Sequence, residues 1–287
     1  MRIKRILITV IVVFCLIAVV MGILGVRENE KLVVTDYTVK SDRIPQAFSG
    51  YKIAQISDFH NPRSTELVDK VVKAVEECQP DIIVITGDLI DSRDTQINIA
   101  LDFVTRISTV SPVYFVTGNH EGRINDYQRL KNGLENLGVK VLENECEVLE
   151  KDGGKINLVG LEDPAFNEVR DIGGKRLLSG WIKEIGFDKE NYTVLLGHHP
   201  EYPLAYSDCE IDLALTGHAH GGQIRLPLIG GLYAPGQGLF PKYDGGLYEL
   251  SSVSTMIVSR GIGNSIYPVR LNNPPELVVI TLSADSE

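Results

Sequence analysis

The chain has 287 residues, enough to bury the core of one large domain or two ordinary ones. Its formal net charge is −10 and no basic block lies beyond residue 5, which argues against nucleic-acid binding through a charged patch. Its four cysteines, Cys15, Cys78, Cys146 and Cys209, are widely spaced and include no Cys-x-x-Cys pair, so they outline no disulfide framework. An anionic partner would have to be attracted by something other than net charge, and bound divalent cations would serve.

Arg2, Lys4 and Arg5 precede Ile6 to Val26, a run of 21 residues without a charge. As a helix this run rises about 31 Å, matching a hydrocarbon core of about 30 Å. Basic residues on its N-terminal side place that end in the cytoplasm and the rest of the chain outside. A cleaved signal peptide is the competing reading, but the apolar region is long for one. Val20-Met21-Gly22-Ile23-Leu24-Gly25 also lacks a small-x-small cleavage site. Residues 1–26 are therefore expected to be an uncleaved, single-pass anchor with residues 6–26 in the bilayer. Both readings export the remainder of the chain.

Residues 27–50 read as a polar connector with an edge strand over Lys31 to Val39, and residues 51–287 as the main domain. Tyr51 to Ser57 is a short strand ending at Asp58-Phe59-His60. Ser64 caps a helix whose apolar face is Leu67, Val68, Val71, Val72 and Val75. Asp81 to Thr86 is a nearly continuous apolar run, as expected of a parallel strand buried on both faces, and it ends at Gly87-Asp88-Leu89-Ile90-Asp91. Ile97, Ala100, Leu101, Val104 and Ile107 mark a second helix. A third strand, Val113 to Thr117, ends at Gly118-Asn119-His120-Glu121, and Ile124, Tyr127, Leu130, Leu134 and Leu137 mark a third helix.

Asp58, Asp88 and Asn119 follow one another at spacings of 30 and 31 residues, the length of one βαβ unit. Val139 to Leu149 and Lys155 to Gly160 read as strands around a turn at residues 151–154, and Gly173 to Ile185 contains a helix. Tyr192 to Gly197 ends at His198-His199-Pro200, and Leu213 to Thr216 ends at Gly217-His218-Ala219-His220-Gly221-Gly222-Gln223. Residues 221–246 are rich in glycine and proline and read as loop-rich hairpins. Strands near Gly246–Leu250, Thr255–Ser259 and Glu276–Leu282 are expected to finish a second sheet.

All six histidines fall just after apolar runs. Fillers would scatter through helices and loops as well. Mixed carboxylate, amide and imidazole ligands suit Mn, Fe or Zn, and more than four at one sheet edge are too many for one tetrahedral ion. Two metals sharing a carboxylate fit better. In an extended segment His218 and His220 point the same way, which taken locally would set both on one ion.

Asp58-x-His60, Gly87-Asp88-x-x-Asp91, Gly118-Asn119-His120-Glu121, Gly197-His198 and Gly217-His218-x-His220 together resemble the five ordered motifs of the calcineurin-like metallophosphoesterases, over residues 51–223. Gly221-Gly222-Gln223, Val258-Ser259-Arg260-Gly261 and Pro274-Pro275-Glu276 also resemble the membrane-anchored bacterial branch sometimes called YkuE-like. The resemblance implies an α/β fold, a four-layer αββα sandwich of two mixed sheets with a dimetal site at strand C-terminal ends. It assigns Asp58, His60 and His220 to one metal, Asn119, His198 and His218 to the other, and makes Asp88 the bridge. It therefore parts the two histidines that local spacing would pair. A bridging water would supply hydroxide for in-line attack on phosphorus. His120 would face the substrate as general acid or charge stabiliser, with Asp91 orienting the ring and favouring its charged form.

His199, Arg123 and Arg260 are the weaker candidates for substrate contact, and Glu121 is either a support or a solvated turn residue. Arg63, Arg93 and Arg123 lie just beyond motifs, with surface solvation the expected state of each. The expected function is dimetal-dependent hydrolysis of phosphodiesters or phosphomonoesters at the cell envelope, manganese being the favoured metal. A lipid-linked or wall-linked substrate follows from the tether. The alternatives are a pyrophosphatase acting on nucleotide-linked acyl sugars and a catalytically silent metal-binding scaffold.

Overall fold

The computed structural model describes residues 2–167, 174–264 and 269–285. Of the expected helix over 173–185, Gly173 lies outside the described residues, and the helix itself runs Gly174–Ile185. Helix α1 spans Arg2–Glu28, followed by strand β1 at Val33–Ser41. Strand β2 (Lys52–Ile56), α2 (Thr65–Cys78), β3 (Ile82–Thr86), α3 (Ile97–Ile107), β4 (Val113–Val116), α4 (Tyr127–Asn136) and β5 (Lys140–Val141) alternate. Then come β6 (Glu145–Lys151), β7 (Gly154–Gly160), α5 (Gly174–Ile185), β8 (Tyr192–Leu196), α6 (Pro203–Ser207) and β9 (Leu213–Thr216). Two short hairpins follow, β10 (Arg225–Leu226) with β11 (Gly230–Gly231) and β12 (Tyr233–Ala234) with β13 (Gly238–Leu239). β14 (Gly246–Glu249), β15 (Thr255–Val258) and β16 (Glu276–Ala284) complete the chain.

The strands form two mixed six-stranded sheets, ordered β1-β16-β2-β3-β4-β5 and β14-β15-β9-β8-β7-β6. β2 to β5 run parallel, as do β15, β9, β8 and β7. Side chains alternate between the faces of each strand, so each sheet buries two layers. Ile53, Val84, Tyr114 and Ile280 of the first sheet meet Leu158, Val194, Leu215 and Ile257 of the second. On its other face, the first sheet packs Ile56, Ile85 and Phe115 against Val71, Val75, Phe103 and Leu130 of α2, α3 and α4. The second packs Val159, Leu195 and Met256 against Leu178 and Ile182 of α5 and Ala205 and Tyr206 of α6. Burial on both faces is why these strands read as unbroken apolar runs.

Two expectations on sheet membership are corrected. The stretch Val139 to Leu149 is divided between sheets. β5 pairs with β4, whereas β6 pairs with β7 across the sandwich, the chain crossing over at 142–144 with Asn144 in the left-handed region (φ 58°). Glu276–Leu282 does not finish the second sheet. β16 lies in the first, antiparallel to β2 and parallel to β1 from Val33↔Glu276 to Ser41↔Ala284. The first sheet thus takes its edge from the connector.

α1 has 27 residues, and Ile6, Ile11, Phe14 and Val19 stand exposed on it. Among the described residues no helix is long and apolar enough to cross a membrane, so the structure does not support the expected span over 6–26.

Candidate metal centre

The C-terminal ends of β2, β3 and β4 meet those of β8 and β9. Buried Gln55 joins the sheets, its Nε2 donating to Thr86 Oγ1 at 3.1 Å and to the Thr216 carbonyl at 2.8 Å. Beyond those ends the chain turns sharply. Asp58, His60, Asp88, His218 and His220 all have φ between 48° and 63°, a region non-glycine residues rarely adopt. Such strain costs about 1 kcal/mol or more per residue and persists where the surroundings over-determine it.

Four groups of donor atoms result among the described residues. His60 with Asp91 and His120, and His199 with Glu201 and His218, are partly buried; the two wholly buried clusters are Asp58 with His60 and His220, and Asp88 with His198 and His218. His60 Nε2 lies 3.2 Å from His220 Nε2, and His220 Nε2 lies 3.2 Å from Asp58 Oδ1. In the other cluster, His198 Nε2 lies 3.2 Å from both His218 Nδ1 and Asp88 Oδ2. The same Asp88 oxygen is 3.5 Å from His60 Nε2, so one carboxylate faces both clusters. Residues 51–222 match the calcineurin-like phosphoesterase family. The chain is a calcineurin-like metallophosphoesterase.

As such it is a hydrolase acting on phosphate esters. It is 31% identical over 262 residues to the uncharacterized metallophosphoesterase YkuE of Bacillus subtilis, covering 90% of this chain and 87% of that one. It is 28% identical over 240 residues to the phosphodiesterase YaeI of Escherichia coli, covering 81% and 82% of the two chains. In fold it is similar to TT1561 of Thermus thermophilus, with a TM-score of 0.52 at 14% identity, covering 75% of this chain and 91% of that one.

The donors of this metallophosphoesterase fit cations. Burial holds His60 down to about 3 and His218 and His220 well below the ordinary imidazole range, which leaves lone pairs free to ligate. The paired ring nitrogens at 3.2 Å can share either a proton or a cation. Burial pushes Asp58 up to about 6 against the His198 charge. Burial also opposes ionisation of Asp88, but His198, His120 and His60 around it hold it well below the usual carboxylate range.

Asn119 stands between His218 Nδ1 and two donors. With its amide nitrogen toward His218 it donates at 2.8 Å, while its oxygen accepts from Arg123 Nη1 at 2.9 Å and from His120 N at 3.2 Å. The opposite orientation sets the amide oxygen beside the His218 lone pair, an arrangement that a cation shared by both would satisfy. Three of the expected ligands are also braced from behind, whereas the buried Nδ1 atoms of His60 and His220 have no hydrogen-bond partner among the described residues. Ser57 Oγ donates to Asp58 Oδ2 at 2.6 Å, His198 Nδ1 is 2.8 Å from the Thr86 carbonyl, and His120 N donates to Asp88 Oδ1 at 2.8 Å.

His120 and Asp91 are brought together, but Asp91 is not the main partner of the ring. The Ser92 N–H donates to His120 Nδ1 at 2.9 Å, whereas Asp91 Oδ1 is 3.4 Å away. Asp91 accepts from Arg93 at Nε (2.9 Å) and Nη2 (2.7 Å). Burial lowers the His120 pKa, against the raising effect of Asp88 and Asp91, so the ring is not held in its charged form.

Arg93, Arg123, Ser92 and Pro235 line a cavity of about 230 Å³ over Asp88, Asn119, His120, His218 and His220. His199 is turned off this cavity, its Nε2 2.8 Å from Asp163 Oδ2 and its Nδ1 2.9 Å from Glu201 Oε1. Arg260 also lies elsewhere, donating to Glu276 Oε1 at 2.7 Å.

Sequence reasoning left Glu121 open between a support and a solvated turn residue, and missed Glu201 and Ser92. Buried Glu121 accepts from the N–H groups of Asp88 (2.9 Å), Gly118 (2.7 Å) and Ile90 (3.1 Å). Glu201 holds His199 and approaches His218 Nε2 at 3.9 Å. Ser92 acts through its backbone, which no side-chain pattern reveals. Glu121 and Glu201 each end a histidine motif, His120-Glu121 and His198-His199-Pro200-Glu201, and that adjacency was the available signal.

Proposed function

We propose that this metallophosphoesterase hydrolyses phosphodiesters or phosphomonoesters with two divalent cations held by Asp58, His60 and His220 on one side and Asn119, His198 and His218 on the other. The observation that carries this reading is the Asp88 carboxylate, whose Oδ2 lies 3.2 Å from His198 Nε2 and 3.5 Å from His60 Nε2. The mixed carboxylate, carboxamide and imidazole donors suit Mn, Fe or Zn, and manganese is the ion we expect. Such ions, when bound, neutralise phosphate charge and acidify a water.

The chain's own residues complete the site. With Ser92 N–H on Nδ1, a neutral His120 carries its proton on Nε2, 4.0 Å from Asp88 Oδ2 and facing the cavity. That proton is placed to pass to the leaving oxygen of the ester. Arg123 and Arg93 line the same cavity and offer guanidinium groups to non-bridging phosphate oxygens. His218 and His220, two residues apart, go to opposite ions because left-handed backbone at both points their rings into different clusters.

The enzyme is proposed to act at the cell envelope, on a lipid-linked or wall-linked phosphate ester, with residues 6–26 in the bilayer and the N-terminus cytoplasmic. Support comes from the uncharged run behind Arg2, Lys4 and Arg5, and from Phe14, 71% exposed on α1. The full chain in detergent should hydrolyse a chromogenic bis-aryl phosphate with added manganese and lose that activity to a chelator. Absence of turnover with Mn, Fe and Zn alike would refute the reading.

A further inference from the structure

Residues 226–241, Leu-Pro-Leu-Ile-Gly-Gly-Leu-Tyr-Ala-Pro-Gly-Gln-Gly-Leu-Phe-Pro, contain no charged side chain and form the paired hairpins β10–β11 and β12–β13. Their apolar residues point outward. Leu228 is 108% exposed, Leu239 67%, Ile229 63% and Phe240 58%. Leu228 (φ 68°) and Phe240 (φ 54°) are also held in left-handed backbone, which bulky side chains rarely adopt. A water-facing surface has no reason to hold four large apolar side chains outward, two of them on strained turns.

The hairpins are fastened to the metal centre. Leu232 N donates to the Ile224 carbonyl at 2.8 Å and Phe240 N to the Leu232 carbonyl at 2.9 Å. A Cβ added to Gly222 would lie 2.4 Å from Gly231 Cα, so the hairpin backbone sits directly on the turn that carries His220. Pro235, between β12 and β13, lines the cavity. The position of the apolar tips is thereby coupled to the position of the catalytic cavity.

The same hairpins join the end of α1. Gly25 packs where a Cβ would strike Val269 and Leu271, and Glu28 Oε2 accepts from Asn272 N at 2.6 Å. Leu271 pairs with Ile224, and its carbonyl accepts from Arg225 N at 2.9 Å. One short segment, 269–272, therefore carries both the exit of the exposed apolar helix and the start of the apolar hairpins.

From this juxtaposition we propose that Leu228, Ile229, Leu239 and Phe240 form a foot that seats in the interfacial layer of a phospholipid bilayer and turns the cavity toward phosphate esters at the membrane surface. The chemistry favours lipid over a protein partner. The patch itself carries no charge; Arg225 beside it is engaged by Asp244 at 3.1 Å, which leaves exposed Lys242 with Tyr233 and Tyr243 close by, the aromatic and basic composition of an interfacial anchor. The proposal rests on the phosphoesterase reading above and extends it to where the substrate is presented.

The test uses the full chain reconstituted into phosphatidylethanolamine–phosphatidylglycerol vesicles containing brominated lipid. Phe240→Trp in a Trp181→Phe background reports on the foot. Val253→Trp, in the loop at the opposite end of the second sheet, is the control. Bromine quenching should be about threefold stronger at position 240 than at 253. In parallel, the Leu228→Ser/Phe240→Ser variant should keep full turnover of the soluble bis-aryl phosphate and lose about tenfold on a phosphate ester presented in vesicles. Equal quenching at both positions, or an indole at position 240 shielded from lipid by a second copy of the chain, would overturn the proposal. So would undiminished vesicle turnover by the double variant. Failure of the phosphoesterase reading would show separately, as absent turnover of the soluble ester by the parent chain.

Discussion

The Ser92 N–H donates to His120 Nδ1 at 2.9 Å, and this contact governs which proton the ring can offer. An accepting Nδ1 leaves the mobile proton on Nε2, on the cavity side. His120→Asn should therefore lower turnover by about 10²–10⁴-fold while leaving the metal content unchanged. Asp91→Asn should cost much less, about tenfold, because Ser92 continues to orient the ring. Kinetics with metal analysis of both variants checks this. Equal losses in the two would return the orienting role to Asp91.

Gly217 is small because Asp58 needs the space. A Cβ there would lie 1.9 Å from Ser57 Oγ and 2.4 Å from Asp58 Oδ2. Gly217→Ala is expected to displace the Asp58 carboxylate and weaken binding at that ion about 10–100-fold, as measured by calorimetric titration. Unaltered affinity would show that Asp58 does not depend on this packing.

Glu121 is fully buried and satisfies three backbone N–H groups, one on the expected ligand Asp88 itself and one on Gly118, next to Asn119. Burial, and then the Asp88 charge, push its carboxyl up to about 8. Glu121→Ala would strand those donors and should destabilise the fold by about 3 kcal/mol or more. Glu121→Gln, which keeps one acceptor, should cost less. Urea midpoints for the two variants give the comparison.

Asp212 supplies a pH signature away from the metal centre. Burial raises its pKa above 3.8, against the Thr193 N–H (2.7 Å) and Arg43 (2.9 Å). A carboxyl whose folded pKa exceeds its unfolded value contributes most stability below the unfolded value and loses it as pH rises through the folded one. The stability of the parent relative to Asp212→Asn should therefore fall as pH rises above 3.8, then level off. A relative gain over that interval would contradict the sign.

Local patterns made much of the domain legible. β3 reads as a strand because Ile82–Thr86 is buried on both faces, and α2 as a helix because Leu67, Val71 and Val75 share one. The spacing of Asp58, Asp88 and Asn119 revealed repeated strand ends. Pairing partners were harder, because alternation reports which face a residue takes and not which strand lies beside it. That is why β16 and the split between β5 and β6 were misplaced. The hydrogen bond from Ser92 was invisible for another reason, since every residue but proline has the same N–H. His199 illustrates a third limit. Its place beside His198 suggested substrate, but Asp163 and Glu201, remote or overlooked in the sequence, turn it away.

The most direct test of the account is a metal titration of the stripped full chain, with turnover of a bis-aryl phosphate followed at each step. Activity should rise through the second equivalent of manganese per chain and plateau there, and Asp88→Ala should abolish that plateau. Full activity at one equivalent, or activity untouched by exhaustive chelation, would contradict a centre built on a carboxylate shared between two ions.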